Sequence, residues 1–231
     1  MVIAGCSQFG KSKDDVVLNH TVERGETLES IAEDYYGDPS RARRIRKFND
    51  VDPNDIDAGD VVRIPMSNDD MVALRQRERA RARFNEALAL VERGSYIDAT
   101  RLLREAVALD PGFADAHYNL GVTYQRMKGY ESALRSYEQA VALQPDNADY
   151  RQALGGIHYH MNHLDAAIAS FKQALTINGF HLKSQYSLAV AYEKNGDTQL
   201  AIAAWRRYLT LDNTSEWGEQ AREHLEKLAQ P

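Results

Sequence analysis

Residues 114–147 read ADAHYNLGVTYQRMKGYESALRSYEQAVALQPDN, and residues 148–181 answer with ADYRQALGGIHYHMNHLDAAIASFKQALTINGFH. Laid over one another at a period of 34 residues, Leu120, Gly121, Tyr124, Ala133, Tyr137, Ala140 and Pro145 meet Leu154, Gly155, His158, Ala167, Phe171, Ala174 and Gly179. The period returns on both sides. Leu188, Ala189, Tyr192, Ala201, Trp205, Tyr208 and Asn213 follow, and Ala87, Leu90, Ala99, Leu103, Ala106 and Pro111 precede. A helix brings residues three and four apart to one side, so Leu120, Gly121 and Tyr124 share a face of a first helix, and Ala133, Tyr137 and Ala140 a face of a second. The small residues let the two helices approach and the tyrosines fill what remains, with Gly129-Tyr130 read as the turn between them. Neither helix buries its apolar face unaided, so several units must stack and the last must be covered. Residues 217–229, with Ala221, Leu225 and Leu228 at helical spacing among charges, suit that cap.

This pattern resembles the tetratricopeptide repeat, a helix-turn-helix unit of that length marked by L-G-x-x-Y, A-x-x-x-F and a late Pro. The resemblance implies four units, 80–113, 114–147, 148–181 and 182–215, ahead of the capping helix within 80–231. It also implies a concave groove, lined by the first helix of each unit, that takes an extended or helical peptide. Carried onto this sequence, that surface is Phe84, Leu88, Tyr118, Asn119, Val122, Arg126, Gln152, Tyr159, His160, Tyr186 and Lys194. Aromatics with scattered cations suit a peptide with apolar anchors and some acid. The Lys and Asn set with which chaperone-binding relatives clamp a terminal carboxylate is not reproduced.

Residues 19–66 follow a different grammar. Thr21 to Glu23 suit a strand; Thr27 can cap a helix carrying Leu28, Ile31, Ala32 and Tyr35 in one stripe, which Gly37 ends in a left-handed turn. Asp38-Pro39 opens a second helix running to Phe48 and stopping near Asn49, with Pro at the first position, where its missing N–H is harmless. Val61 to Ile64 suit a second strand, ended by Pro65. The run Gly25-Glu26-Thr27-Leu28, Tyr36-Gly37-Asp38-Pro39, Asn49, Gly59 and Ile64-Pro65 resembles a LysM domain. That resemblance implies binding of glycans built from N-acetylglucosamine, chiefly peptidoglycan. The implied groove lies between Gly25, Glu26, Thr27 and Leu28 on one side and Asn54, Asp55, Ile56 and Asp57 on the other. Backbone groups there would bond the acetamide and Ile56 would cover its methyl. The fold class expected is therefore mostly α, a small βααβ domain followed by an all-α solenoid with a capping helix.

Residues 1–18 read as a tether. Val2-Ile3-Ala4-Gly5-Cys6 followed by Ser7 resembles the end of a bacterial lipoprotein signal. This implies lipidation of Cys6, membrane attachment through that lipid and, with Ser7 next to it, the periplasmic side of the outer membrane. Residues 67–79 read as a helical join: Ser67 offers a cap, Asp69 and Asp70 sit in the first turn, and the helical pattern continues to about Arg93, which keeps the join short.

Composition narrows the function. A formal net charge of −6, with neither half of the chain basic, gives nucleic acid no electrostatic footprint. A single cysteine excludes an internal disulfide framework, and no apolar run is long enough for a membrane-spanning helix. His158, His160 and His163 are read as packing and groove residues, with no metal expected, since His158 and His160 point to nearly opposite sides of a helix. Arg41, Arg43, Arg44, Arg46 and Lys47, then Arg75, Arg77, Arg79, Arg81 and Arg83, are read chiefly as solvated faces. Neither a nucleophile motif nor a phosphate loop is present, so no cofactor and no enzymatic activity are expected. The expectation is a cell-envelope scaffold that holds peptidoglycan and an unidentified protein. Its alternative is a purely protein-binding assembly factor whose LysM domain does not hold glycan.

Overall fold

The computed structural model describes residues 16–52 and 56–229. Cys6, Asn54 and Asp55 lie outside the described residues. The chain divides into two compact units between Arg79 and Ala80.

The first unit contains β1 (Val16–Thr21), α1 (Leu28–Tyr36), a 3-10 turn (Pro39–Arg41), α2 (Ala42–Asn49), β2 (Val61–Met66) and the opening turns of α3 (Asn68–Glu92). β1 and β2 pair antiparallel from Val16 opposite Met66 to Thr21 opposite Val61. Leu28, Ile31 and Ala32 of α1, Ile45 of α2 and Val62, Ile64 and Met66 of β2 make the core, joined by half-buried Met71 and Leu74 of α3.

Three local expectations are corrected here. β1 begins at Val16, inside the segment read as a tether, because Val16, Val17 and Leu18 are good strand formers with Met66, Pro65 and Ile64 to pair against. Pro65 does not end β2, since in a two-stranded sheet both strands are edges and a missing N–H is tolerated. Asp38-Pro39 opens a 3-10 turn, and the α-helix starts after it at Ala42.

Such a small core is reinforced by polar staples. Asp70 receives both ends of the Arg41 guanidinium (2.6 and 3.1 Å), Arg44 (3.0 Å) and the Ser67 N–H (2.9 Å). The Arg41 guanidinium also lies 4.0 Å over the Tyr36 ring. Arg77 donates to the carbonyls of Tyr35 (2.7 Å) and Tyr36 (3.1 Å), satisfying acceptors that the end of α1 leaves open. Asn49 ties α2 to β2, donating to the Arg63 carbonyl (2.7 Å) and accepting from its N–H (2.8 Å). Arg41, Arg44 and Arg77 are therefore structural, contrary to their reading as solvated charge.

The second unit continues α3 and adds α4 (Tyr96–Leu109), α5 (Ala114–Arg126), α6 (Tyr130–Leu143), α7 (Ala148–His160), α8 (Leu164–Ile177), α9 (Leu182–Asn195), α10 (Thr198–Leu211) and α11 (Glu216–Leu228). Within each unit the first helix packs on the second, as α5 on α6, α7 on α8 and α9 on α10, and each pair packs on the next. Gly121 lies under Tyr137 and Gly155 under Phe171; a Cβ on either would come within 2.6 Å of the ring. Between the helices of successive pairs, Gly94, Lys128, Asn162 and Gly196 hold left-handed φ values of 74°, 61°, 63° and 83°. The left-handed step thus falls on Lys128 and not on Gly129, because the first helix runs on to Arg126 and must reverse within the next two residues. α11 covers the last pair through Ala221, Leu225 and Leu228.

Candidate functional site

In the first unit, the turn after β1 and the turn before β2 are brought side by side by two backbone bonds: Val22 N–H donates to Asp60 O (2.8 Å), and Gly59 N–H to Val22 O (2.9 Å). Gly25 holds φ 88° and Gly59 φ 101°, with open space where a side chain would be. The Gly25–Leu28 segment thus begins three residues beyond the junction with the Asp57–Asp60 turn, and Gly25, Thr27, Asp57, Ala58, Gly59 and Asp60 are exposed. Thr27 is exposed and caps α1 in a reciprocal box, accepting from Ser30 N–H (3.1 Å) while Ser30 Oγ accepts from Thr27 N–H (2.9 Å).

The side chains divide differently from the backbone. The Glu26 carboxylate turns back on its own loop, accepting from Glu23 N–H (2.6 Å) and pairing with His20 Nε2 (2.8 Å). The Glu23 N–H foremost, then His20, holds that carboxyl below its usual range. His20 in turn contacts the Tyr35 hydroxyl through Nδ1 at 3.3 Å. Leu28 is 1% exposed and belongs to the core, so its backbone is what it can offer a ligand. Ile56 is half-buried against that core, and Asp57 is exposed with its N–H on Asp60 Oδ2 (2.9 Å). His20, Glu23 and Asp60 were missed by sequence reasoning, because the first two act through Glu26 and the third through the turn.

In the second unit, Tyr118, Val122, Arg126, Gln152 and His160 line one open cavity of about 570 Å³ between the first helices of two units. Gln125, Lys128, Tyr130, Tyr137 and Gly156 join them there. The first three of these follow from the turn geometry, which carries the helix end and the loop over the groove. Tyr118 stacks on Tyr150 at 5.0 Å, and Tyr130 on His160 at 5.8 Å with rings nearly parallel. Burial raises the pKa of Tyr118 and Tyr137, so both stay protonated; Tyr137 donates to Gln125 Oε1 (2.8 Å).

Several other expected groove residues are more committed to the scaffold. Phe84 packs on Phe113 at 4.8 Å, Leu88 is half-buried, and Asn119 donates to Asp115 O (2.9 Å). Tyr186 meets Trp205, Tyr208 and exposed Trp217 edge-on at 4.8, 5.4 and 5.1 Å, and donates to Gln220. Lys194 lies 4.4 Å over the Tyr159 ring. His158 and His163 are 5.9 Å apart, and burial foremost lowers the pKa of His158. No group of three or more metal-ligating side chains is present among the described residues.

Residues 20–65 match the family model of the LysM domain, and residues 90–157 and 161–216 match models of the tetratricopeptide repeat. No curated protein matches the chain. Among solved structures, a tetratricopeptide repeat protein from Parabacteroides merdae is similar with TM-score 0.60 and 18% identity, over 65% of this chain and 60% of that one. A MamA structure gives TM-score 0.58 and 19% identity over 65% of this chain and 90% of that one. MamA AMB-1 gives TM-score 0.53 and 26% identity over 59% and 75%. Both matched domain types are non-catalytic, and their combination is that of a protein-binding scaffold.

Proposed function

From a chain that carries a LysM domain followed by tetratricopeptide repeats, we propose a non-enzymatic scaffold of the bacterial cell envelope, bound to peptidoglycan through residues 20–65 and to a protein through the repeat groove. The observation that carries the glycan half is the pair of turns joined at Val22, with exposed backbone groups at Gly25 and Gly59 and Ile56 beside them. A neutral acetamido sugar needs such a site: amide N–H and C=O groups for its polar atoms and a small apolar patch for its methyl. The protein half is supported by the aromatic cavity at Tyr118, Tyr130 and His160. The lipobox-like residues around Cys6 extend this to a lipid-anchored protein facing the wall, where tethering raises the effective concentration of a weak glycan module. Deleting residues 1–15, which spares β1, is expected to lower wall retention in cells.

The test is co-sedimentation of the purified chain with insoluble peptidoglycan, beside a variant carrying Thr27→Asp and Ala58→Arg. Both positions are exposed, and Asp keeps an acceptor at the helix cap. The wild type should pellet and the variant, with an unchanged melting curve, should stay in solution. A second reading, an assembly factor that binds proteins through both units, is favoured by the internal use of the Glu26 carboxylate and the burial of Leu28. It becomes the function if the wild type does not pellet.

A further inference from the structure

Arg126, His160 and Lys194 stand one repeat apart, each in the last turn of its unit's first helix. All three are exposed, and no ion pair joins any of them to a carboxylate among the described residues. The acids on the same helices are engaged within the fold instead. Asp115 accepts from the Tyr150 hydroxyl (2.5 Å), Asp149 pairs with His181 (3.2 Å), and Glu193 takes both the Trp205 N–H and His224 (3.1 Å). The groove therefore presents a row of basic groups whose neighbouring acids are already in use. His160 sits on the Tyr130 ring and Lys194 over Tyr159, so two of the three are also held against aromatic faces.

The spacing of the row selects its ligand. α7 and α9 touch directly, and packed helices lie about 8–10 Å apart, which sets the step from His160 to Lys194, while Arg126 and His160 line one cavity together. A polyproline-type chain has three residues per turn and rises about 3.1 Å per residue, so it presents the same face every ~9 Å. In a β-strand successive side chains alternate faces, so residues three apart point to opposite sides. Aromatic-lined grooves are also the kind that hold polyproline-type segments. In the first repeat, residues 80–113, the equivalent position is Glu92, which ends the basic row and disfavours acid at the ligand position facing it.

Resting on the groove reading above, we infer that the repeat groove takes an acidic, polyproline-like segment whose carboxylates recur every third residue. Its test is fluorescence anisotropy of the full chain with labelled peptides. One repeats Glu-Ala-Pro; a second has the same composition with its acids contiguous; a third is helical with acids every seventh residue; a fourth carries Lys in place of Glu. The Glu-Ala-Pro peptide should bind tightest, and Arg126→Glu and Lys194→Glu should each weaken it about tenfold. Glu92→Lys should strengthen binding of a peptide lengthened by one acidic triplet, with added salt opposing each gain. Melting curves of the three variants should match the wild type, since the positions are exposed. Equal binding of spaced and contiguous acids, tighter binding of the helical or Lys peptide, or indifference to Arg126→Glu would overturn the inference and leave the groove reading standing. Binding of none of the four would likewise overturn the inference.

Discussion

In residues 114–147 the first helix offers Gly121 to the ring of Tyr137, and in residues 148–181 it offers Gly155 to Phe171. In residues 182–215 the same position is Ala189, fully buried, and the facing ring is Trp205. A methyl at Gly155 would sit 2.5 Å from Phe171, which no ring tolerates, whereas Ala189 is accommodated beside a larger ring. Trp205 is held by its neighbours: its N–H is taken by Glu193 and its face is stacked on His224 at 4.9 Å. The repeat thus preserves neither the residue type nor the combined volume of this pair, since both partners are larger in residues 182–215. The hydrogen bonds of the last unit decide where the larger ring lies.

The largest expected effect tests that unit. Trp205→Ala should cost about 4 kcal/mol, and hydrogen exchange should show protection lost from α9 to α11 first, because stacked repeats couple to their neighbours. Next, Gly155→Ala should cost about 3 kcal/mol through the clash with Phe171. Ala189→Gly, its mirror image, should cost only about 1 kcal/mol. Equal losses in denaturant melts of the two would break the comparison.

The first unit sharpens it from the other side, because its core is held by charge as well as volume. Burial by itself would raise the pKa of the Asp70 carboxyl, but the Arg41 fork and the Ser67 bonds outweigh it and hold the group well below the usual carboxylate range. A depressed folded pKa gives stability that is complete above the unfolded value of about 4 and is lost as pH falls from there toward the folded one. Asp70→Asn should therefore cost about 2 kcal/mol at neutral pH and flatten the acid limb of the melting profile of residues 16–79. Thr27→Ala should have an effect as small as that of Ala189→Gly, about 1 kcal/mol from the lost cap of α1, read in the same melts.

Local features were legible wherever the cause is local. Thr27 and Gly37 mark the ends of α1 because a cap acceptor and a left-handed residue act within one turn. The glycan-site reading was partly legible: the turn residues were, but the diversion of Glu26 to His20 and Glu23 depends on how β1 presents His20. Of the groove, Tyr118, Arg126 and His160 could be placed by period, while Lys128 and Tyr130 could not, since their position depends on where the first helix stops.

By itself the sequence determined the period of 34 residues, the small and large partners within each unit, and the strand-helix-helix-strand order before them, because each depends on spacing along the chain. Only the tertiary structure decided which charges are occupied. Arg41 and Arg44 reach an acid 29 and 26 residues away, Arg77 reaches a helix end 41 residues away, and Glu193 reaches His224 31 residues away. No ion pair joins Arg126, His160 or Lys194 to a carboxylate among the described residues. Charge pairing acts through space over a few ångströms, and no spacing along the chain records which distant groups the fold brings within that range.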